Sequence, residues 1–380
     1  MIYLDAAATT AVRREVLEAM WPYLTGEFGN PSSHHTLGKS AADALAVARA
    51  SVAKDLGCRA SEVTFTGGGT EADNLAIKGI ALAQPRGKHI VTTAIEHEAV
   101  LESCDYLQRI HGFEITILSV DRYGMVDLGQ VSAAIRPDTT LVTVMLANNE
   151  VGTIQPIAEI AAVARKLGVP AHTDAVQGAG ALDLNIATLG VDALSLSGHK
   201  IGAPKGIGVL FAKGRLQLEP VMHGGGQERG KRSGTENVAG AVGLATALRL
   251  ASQDRAERMA RLTEVRDELI HGVLSAVPTA ILTGHPQKRL PGSASFCFPG
   301  TSGEAVLLYL EERGIVCSSG SACAAGSDEP SHVLVAMGVE PAVAQTAVRF
   351  TLTEGTTLDE IRDVVSAVRN GVDDVRAIAR

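Results

Sequence analysis

Residues 193–200 read Ala-Leu-Ser-Leu-Ser-Gly-His-Lys, a short apolar run that ends in small polar residues and a lysine. Similar apolar runs recur from about residue 60 to residue 213, and they alternate with stretches of helical character. Together with residues 193–197, the predicted strands cover residues 62–66, 89–93, 114–120, 141–146, 170–173 and 209–212, and the predicted helices include residues 71–84, 100–111 and 157–167. This alternation predicts an α/β fold with a seven-stranded, mainly parallel sheet that helices cover on both faces.

The last third of the chain follows a different pattern, which predicts a smaller α+β domain. Near residues 250–275, apolar residues follow steps of three and four while the other side is charged, as expected of a long helix that joins two domains. Beyond it we predict strands at 294–298 and 347–351, a helix at 304–313, and a last helix that starts with the capping-box pair Thr357 and Glu360. The predicted domains are residues 13–252 for the large one, and residues 1–12 with 253–380 for the smaller one, which carries a loop at 318–329.

Composition and charge exclude several classes of protein. The 380 residues are 46% hydrophobic and 20% charged, which is typical of a folded protein with a large core. Lys and Arg number 34 against 42 Asp and Glu, so the net charge is −8, and only 3% of the residues are aromatic. An acidic chain poor in aromatic side chains is a weak candidate for a nucleic-acid or anionic-membrane partner.

The N-terminus and the cysteines predict a cytoplasmic protein. No basic segment followed by an apolar core opens the chain, and no apolar run approaches the ~20 residues that span a bilayer. The five cysteines are an odd number with irregular spacing and no Cys-x-x-Cys motif. This pattern fits neither a disulfide framework nor a zinc site. We expect reduced thiols, no bound metal and a cytoplasmic location.

A glycine-rich turn follows the first predicted strand. Residues 66–70 read Thr-Gly-Gly-Gly-Thr and lead into a predicted helix, so backbone N–H groups and the positive end of the helix dipole would face an anion. Phosphate suits such a site, and a plain tight turn is the alternative. Gly67, Gly69 and Ala72 also match a dinucleotide fingerprint, but no acidic residue ends the next strand, as that fold requires.

Four more polar residues follow predicted strands, where the ligands of parallel sheets bind. Lys200 could form a Schiff base with a cofactor, although a lone lysine is more often an exposed surface residue. Asp174 could keep a pyridinium nitrogen protonated or, alternatively, cap a helix. His97 could stack on a flat ring or simply begin a helix. Asn149 lies in an Asn-Asn-Glu segment that otherwise predicts a turn.

Pyridoxal 5'-phosphate accounts for all of these residues at once. This cofactor needs a lysine for its Schiff base, an acid at the ring nitrogen, an amide at the ring oxygen and a cradle for its phosphate. That set is supplied by Lys200, Asp174, Asn149 with Gln177, and the turn at residues 68–70. One shared site explains these residues better than a series of coincidences.

Ten short motifs then follow one another along the chain. They are Tyr3-Leu4-Asp5 with Ala7-Ala8-Thr9-Thr10, Gly29-Asn30-Pro31-Ser32-Ser33, Gly69-Thr70-Glu71, Glu96-His97, Asn148-Asn149-Glu150-Val151-Gly152, Asp174-Ala175-Val176-Gln177, Ser197-Gly198-His199-Lys200, His223-Gly224-Gly225-Gly226-Gln227-Glu228, Arg232-Ser233-Gly234-Thr235 and Ser318-Ser319-Gly320-Ser321-Ala322-Cys323. In these motifs the chain resembles, over essentially its whole length, the cysteine desulfurases of the iron–sulfur-assembly type. Those are fold-type I pyridoxal-phosphate-dependent transferases of the class V aminotransferase-like family, so the resemblance implies that fold and that cofactor.

The resemblance also implies a role for each matched residue around the cofactor. Lys200 would carry the cofactor and then move the substrate's α-proton. His97 would stack on the cofactor ring and assist this proton transfer. Asp174 would hold the ring nitrogen. The ring oxygen would be contacted by Asn149 and Gln177, and the phosphate would be bound by Gly69, Thr70, Ser197, His199 and, from the partner of a homodimer, Thr235.

For the substrate, the resemblance implies that Asn30 and Arg349 hold the carboxylate of L-cysteine, a task that suits a bidentate guanidinium. It also implies that the thiolate of Cys323 takes the sulfur, so that L-alanine leaves and a persulfide passes to a sulfur-acceptor protein such as an iron–sulfur scaffold or a sulfur carrier. Cys323 lies in a run of Ser, Gly and Ala, for which we predict an exposed, mobile loop. Cys317, in an apolar run, is predicted to be structural.

Two rival hypotheses follow from the same residues. A related pyridoxal-phosphate enzyme, such as a selenocysteine lyase or a class V aminotransferase, would share the sheet and the lysine, although Cys323 in its serine-glycine loop argues against both. A non-catalytic dinucleotide-binding or scaffold protein could use the same sheet. Colour separates the classes, because a cofactor bound through a lysine is yellow whereas a nicotinamide is not.

Overall fold

The computed structural model describes residues 1–83, 86–320 and 329–378. Its strands are β1 (Ile2–Tyr3), β2 (Val63–Thr66), β3 (His89–Thr93), β4 (Glu114–Leu118), β5 (Thr139–Thr143), β6 (Ala171–Asp174), β7 (Ala193–Ser197), β8 (Gly208–Ala212), β9 (Ile281–Leu282), β10 (Ser293–Cys297), β11 (Ile315–Val316) and β12 (Ala347–Thr351). Its α-helices are α1 (Arg14–Thr25), α2 (Thr36–Leu56), α3 (Gly69–Ala83), α4 (Glu98–His111), α5 (Leu128–Ala134), α6 (Ile157–Lys166), α7 (Ile186–Leu189), α8 (Val238–Ser252), α9 (Arg255–Ala276), α10 (Gly303–Glu311), α11 (His332–Ala336), α12 (Pro341–Ala344) and α13 (Leu358–Ile378). None of these helices is both long enough and apolar enough to cross a membrane.

Seven of the described strands form one large sheet, in the order β2-β8-β7-β6-β5-β3-β4. The strands from β7 to β4 pair in parallel, whereas β8 runs antiparallel to both of its neighbours. Every residue of β3, β5, β7 and β8 is buried, as expected of a sheet with both faces covered. The predicted seven-stranded, mainly parallel α/β sheet is confirmed.

A smaller pair of sheets packs around its own apolar cluster. The antiparallel sheet β12-β10-β9 lies beside the parallel pair β1-β11. Its cluster contains three buried aromatic rings, of Phe296, Phe298 and Phe350, with Phe296 6.1 Å from each of the other two ring centroids. Leu4 belongs to this cluster, so the N-terminus packs with the C-terminal third of the chain. The proposed domain boundaries stay a prediction.

The long helix predicted near residues 250–275 is confirmed as α9, although it begins at Arg255, about five residues later than predicted. A break separates it from α8, which ends at Ser252. Gln253 is extended and Asp254 takes a left-handed conformation with φ of 48°, so the helical hydrogen-bond ladder is interrupted there. Apolar spacing does not reveal such a break, because both helices keep apolar residues on their buried sides.

A buried ion pair ties α2 to the polar segment that precedes α8. Arg49 donates from Nη1 to Glu228 Oε2 at 2.6 Å and from Nη2 to Glu228 Oε1 at 2.8 Å. The same carboxylate accepts the backbone N–H of Phe65, in β2, at 3.1 Å. The Arg49 and Glu228 side chains are only 10% and 1% exposed, so each charge depends on the other.

We expect Glu228→Ala to lower the free energy of unfolding by about 3–5 kcal/mol, because it leaves a buried arginine without its counter-charge. Denaturant unfolding at neutral pH measures this change. The matched control is Glu18→Ala, which breaks the exposed Arg14–Glu18 pair on α1 and should cost less than about 1 kcal/mol. Equal losses for the two variants would contradict the prediction.

Candidate active site

A cavity of about 940 Å³ lies at the carboxyl ends of several strands of the large sheet. Residues that follow β2, β3, β5, β6 and β7 contribute to its wall, as expected of a parallel sheet. Ten of the predicted site residues line it: Gly69, Thr70, His97, Asn149, Asp174, Gln177, Ser197, His199, Lys200 and Arg349. The fold therefore brings most of the predicted site together.

One end of this cavity is shaped for an anion. The turn between β2 and α3 passes so close to β8 that a Cβ on Gly208 would come within 2.5 Å of the Gly68 backbone. A Cβ on Gly69 would likewise lie 3.3 Å from Ser197 Cβ. Glycine permits this close approach, which places Thr70 and the positive end of the 15-residue α3 at the cavity wall.

His199 adds an uncharged ring to this end of the cavity. Its Nδ1 lies 3.1 Å from Thr9 Oγ1. Burial, with the charges of Lys200 and Lys205, lowers the pKa of His199 to about 4, so the ring is neutral at pH 7. Contact with an anion would therefore use an N–H group of the neutral ring, while the two lysines supply positive charge.

Asp174, the last residue of β6, is a buried acid in the cavity wall. It is 6% exposed, and its Oδ1 accepts the backbone N–H of Val176 at 2.9 Å. Turns rather than a helix follow it, so the alternative prediction of a helix cap is wrong. Burial raises the pKa of Asp174, and a cation beside it would favour its ionised form. A protonated ring nitrogen is such a cation.

Lys200 points its amine at the N-terminal segment of the chain. It ends the 3₁₀ turn Gly198–Lys200 directly after β7, and its Nζ donates to the main-chain oxygens of Ala7 and Ala8, the latter at 2.8 Å. Gln177 Nε2 donates to the same Ala7 oxygen at 3.0 Å. Lys200 is thus a half-buried cavity residue, and the alternative prediction of an exposed surface lysine is wrong. Apart from its match to the family motif, the sequence of residues 7–10 does not predict that this segment forms part of the cavity wall.

The prediction that His97 begins a helix is confirmed, and its stacking on a flat ring stays a prediction. The residue caps α4, because its Nδ1 accepts the backbone N–H of Ala99 at 3.0 Å, and its ring also lines the cavity. The neighbouring Glu96 is fully buried and accepts from Thr93 Oγ1 at 2.6 Å. Burial raises the pKa of Glu96 to about 8. The cap contact fixes the orientation of the imidazole beside the cavity.

Arg349, in β12, carries a buried positive charge from the small sheet to the cavity. Its Nη1 donates to the main-chain oxygen of Asn149 at 3.0 Å, and its Nη2 donates to Asp5 Oδ1 at 2.7 Å. Within the described part of the chain, the buried Nε has no hydrogen-bond partner. Nη1 and Nη2 each keep one N–H without a hydrogen bond there, and these are the donors that a bound carboxylate would use. Sequence analysis missed Asp5 as a site residue.

Two predicted site residues, Asn30 and Thr235, are not brought to this cavity by the single chain. Asn30 is exposed, and its Oδ1 accepts the backbone N–H of Ser32 at 2.9 Å. Thr235 is also exposed and does not line the cavity. Cys323 lies outside the described residues. The roles of these three residues stay predictions.

The donors around the cavity fit pyridoxal 5'-phosphate. A primary amine, a buried acid and an imidazole surround the space, and the start of α3 with Ser197 provides an anion site at one end. The raised pKa of the buried Asp174 indicates a carboxyl group that lacks sufficient positive charge, which the ring nitrogen of the cofactor would provide. Lys200, Asp174, His97 and Ser197 are the residues that would hold it.

Comparisons with known proteins agree with this geometry. A family model described as aminotransferase class-V matches residues 2–364. The chain is 45% identical over 379 residues to "Cysteine desulfurase IscS" of Dictyoglomus turgidum, covering 100% of this chain and 96% of that protein. A solved "NifS-like protein" matches with a TM-score of 0.92 and 36% identity over 98% of this chain and 99% of its own. A structure titled "SspA in complex with cysteine" matches with a TM-score of 0.82 and 36% identity over 94% of this chain and 100% of its own.

A fully buried polar network lies behind the cavity wall. In β6, His172 Nδ1 lies 2.8 Å from Thr143 Oγ1, and Nε2 lies 2.9 Å from Ser195 Oγ. Asp73 Oδ1 is 3.7 Å from the same Nε2. Burial lowers the pKa of His172 to about 3 and raises the pKa of Asp73 well above its ordinary value. The imidazole is therefore neutral at pH 7, and its contact with Asp73 is not an ion pair.

The buried, neutral His172 predicts a loss of stability in mild acid. Unfolding exposes the imidazole, which then binds a proton near pH 6.5, whereas the folded protein resists protonation down to about pH 3. The unfolded state binds more protons across this window, so the free energy of unfolding falls as the pH drops below 6.5, by about 1.4 kcal/mol per pH unit. His172→Gln should remove that share of the slope between pH 6.5 and 5 in denaturant titrations. His34→Gln, at an exposed position, is the matched control, and an unchanged slope in His172→Gln would refute the prediction.

Proposed function

Because the chain belongs to the aminotransferase class-V family, we propose that it is a pyridoxal-phosphate-dependent cysteine desulfurase, which converts L-cysteine to L-alanine and leaves the sulfur as a persulfide on Cys323. The observation that carries this proposal is the convergence of Lys200, Asp174 and the start of α3 on one cavity. The relatives whose printed name is cysteine desulfurase extend over the whole chain, which supports the same activity.

The residues of the cavity divide the work of binding and proton transfer. When bound, the cofactor supplies an electron sink that makes the bonds at the α-carbon of an amino acid easier to break. Lys200 holds the cofactor and then moves the α-proton through its amine. Asp174 balances charge at the ring nitrogen, and His97 covers the ring. Gly69, Thr70, Ser197 and His199 bind the phosphate, while Asn149 and Gln177 contact the ring oxygen.

Substrate binding uses the positive charge that Arg349 brings from the small sheet. The carboxylate of L-cysteine pairs with the guanidinium, in which Nη1 and Nη2 each keep one N–H without a hydrogen bond within the described residues. Asn30 completes this contact in the proposal. Fixing the carboxylate limits the orientations in which the α-carbon can face Lys200.

The sulfur step balances without an added oxidant. The thiolate of Cys323 attacks the substrate sulfur, an S–S bond forms and the C–S bond breaks. Its electron pair goes to the carbon, which takes up a proton and leaves as L-alanine. The substrate sulfur stays on Cys323 as a persulfide, which a thiol of an acceptor protein can remove.

The other cysteines are poor candidates for this nucleophile. Burial raises the thiol pKa to about 12 in Cys58, Cys104 and Cys317, and to about 11 in Cys297. A thiol with so high a pKa is not ionised at neutral pH, and the thiolate is the reactive form. This supports Cys323 as the nucleophile, and it supports Cys317 as structural.

We also propose a cytoplasmic location, a protein acceptor for the sulfur and a homodimer. The cysteines that the structure describes at positions 58, 104, 297 and 317 are all free thiols, which fits a reducing compartment such as the cytoplasm. The acceptor of the persulfide sulfur is a protein, either an iron–sulfur scaffold or a sulfur carrier. A homodimer is supported by an exposed apolar strip on α1 and just beyond it, since Leu17, Trp21, Leu24 and Phe28 are 53%, 66%, 59% and 68% exposed.

The nucleophile is tested by separating cofactor chemistry from sulfur release. Cys323→Ser should keep the yellow colour and the absorbance change on adding L-cysteine, but alanine production should fall by at least about 100-fold, because a serine hydroxyl is neither ionised at neutral pH nor able to accept sulfur readily. Lys200→Ala should lose both the colour and the turnover. Mass spectrometry should find one added sulfur atom at Cys323 in the wild type. A persulfide on Cys317, or near wild-type turnover in Cys323→Ser, would exclude this role.

The exposed Thr235 predicts complementation between subunits. A negative charge in Thr235→Asp should repel the phosphate and inactivate the homodimer, as Lys200→Ala does. In a mixed dimer of the two variants, one site combines the intact Lys200 with the intact Thr235 of the other subunit. Co-expression with two affinity tags, followed by an alanine assay, should therefore recover activity per dimer close to half that of the wild type. No recovery would show that Thr235 acts within its own subunit, and an active Thr235→Asp homodimer would show that Thr235 does not contact the phosphate.

A further inference from the structure

The guanidinium of Arg349 is held by an acid that the proposed function does not use. Arg349 Nη2 donates to Asp5 Oδ1 at 2.7 Å, and the two side chains are 3% and 18% exposed. On the other side, Nη1 donates to the Asn149 main-chain oxygen at 3.0 Å. These two contacts fix the plane of the guanidinium at both of its ends.

The position of Asp5 follows from strand register rather than from chance. β1 runs parallel to β11, and Asp5 continues it as a bridge to Thr351 in β12. Thr351 N donates to the Leu4 oxygen at 2.7 Å, and Ala6 N donates to the Thr351 oxygen at 3.1 Å. Arg349 lies two residues before Thr351, on the same face of β12. Asp5 therefore lies diagonally beside the arginine, within reach of its side chain.

We propose that Asp5 is a positioning residue, which holds the Arg349 guanidinium so that its remaining N–H groups meet the carboxylate of the substrate. This inference rests on the proposed function. An arginine has five N–H donors, and the contacts with Asp5 and Asn149 occupy two of them. Nε is enclosed by protein, so a carboxylate would bind the second N–H groups of Nη1 and Nη2, which make no other hydrogen bond within the described residues.

Charge and flexibility give Asp5 this effect. A buried guanidinium without an opposite charge is costly, and a long side chain that lost its anchor would turn toward solvent or another acceptor. Asp5 keeps the cation in place before the substrate arrives, so less ordering is needed on binding. If Asp5 instead competed with the substrate for Arg349, removal of Asp5 would strengthen substrate binding. The two hypotheses therefore predict opposite changes in KM.

The test compares steady-state constants for L-cysteine in the cofactor-loaded enzyme. Asp5→Ala should raise KM about tenfold and leave kcat within about threefold, because Asp5 acts on carboxylate binding. Asp5→Asn should raise KM less than Asp5→Ala does, because its amide oxygen still accepts from Nη2 although the negative charge is lost. Asp105→Ala is the matched control, because it breaks the exposed Arg109–Asp105 pair on α4 and should change neither constant.

A double variant shows whether Asp5 acts through the arginine. In the Arg349→Met background, Asp5→Ala should cause no further loss of kcat/KM, because the group that it positions is absent. Full additivity of the two losses, an unchanged KM in Asp5→Ala, or a lowered KM would each overturn the inference. Turnover of the wild type separates failure of the proposed function from failure of the inference about Asp5. A wild-type protein that makes no alanine would refute the proposed function, and this inference with it.

Discussion

The balance of buried charge is the constraint on which the site depends. Arg349 enters the cavity from the small sheet, and its counter-charge, Asp5, comes from the other end of the chain. The buried acids Asp174 and Glu96 have raised pKa values for the opposite reason, since burial favours their neutral forms where positive charge is short. The same constraint operates away from the cavity, where Glu228 balances the charge of Arg49 and connects the polar segment that precedes α8 to β2. Two segments, the N-terminal one with Asp5 and the one that precedes α8 with Glu228, are thus held by ion pairs that are largely buried.

The strands that could be predicted best are those whose apolar runs end abruptly. The predictions for β3, β7 and β12 match the structure residue for residue, because polar or glycine residues stand at their ends. β5 was predicted two residues too late at its start and three too late at its end. The strand ends at Thr143, yet residues 144–146 remain buried, and the backbone N–H groups of Val144 and Leu146 still donate to His172 and Asp174 of β6. An apolar run indicates burial, and burial continues past the end of the strand.

The site was predictable where the sheet alone determines it. Lys200, Asp174 and His97 follow strands of one parallel sheet, so their convergence could be expected from the order of the elements. The contact of Asp5 with Arg349 spans 344 positions and depends on the register of short strands, which no local pattern encodes. Asn30 and Thr235 are exposed in the single chain, so their roles depend on surroundings that one chain does not supply.

The N-terminal segment gives the protein a fixed order of assembly during synthesis. Leu4 is hydrogen-bonded to Thr351, and Thr10 is hydrogen-bonded to His199, so the first ten residues form one cavity wall by joining partners made much later. A ribosome must complete β12 before the segment can dock. Until then the nascent chain can build the large sheet, but Lys200 lacks the wall of Ala7 and Ala8, and Arg349 does not yet exist. The enzyme therefore gains its complete site only after β12 has been made.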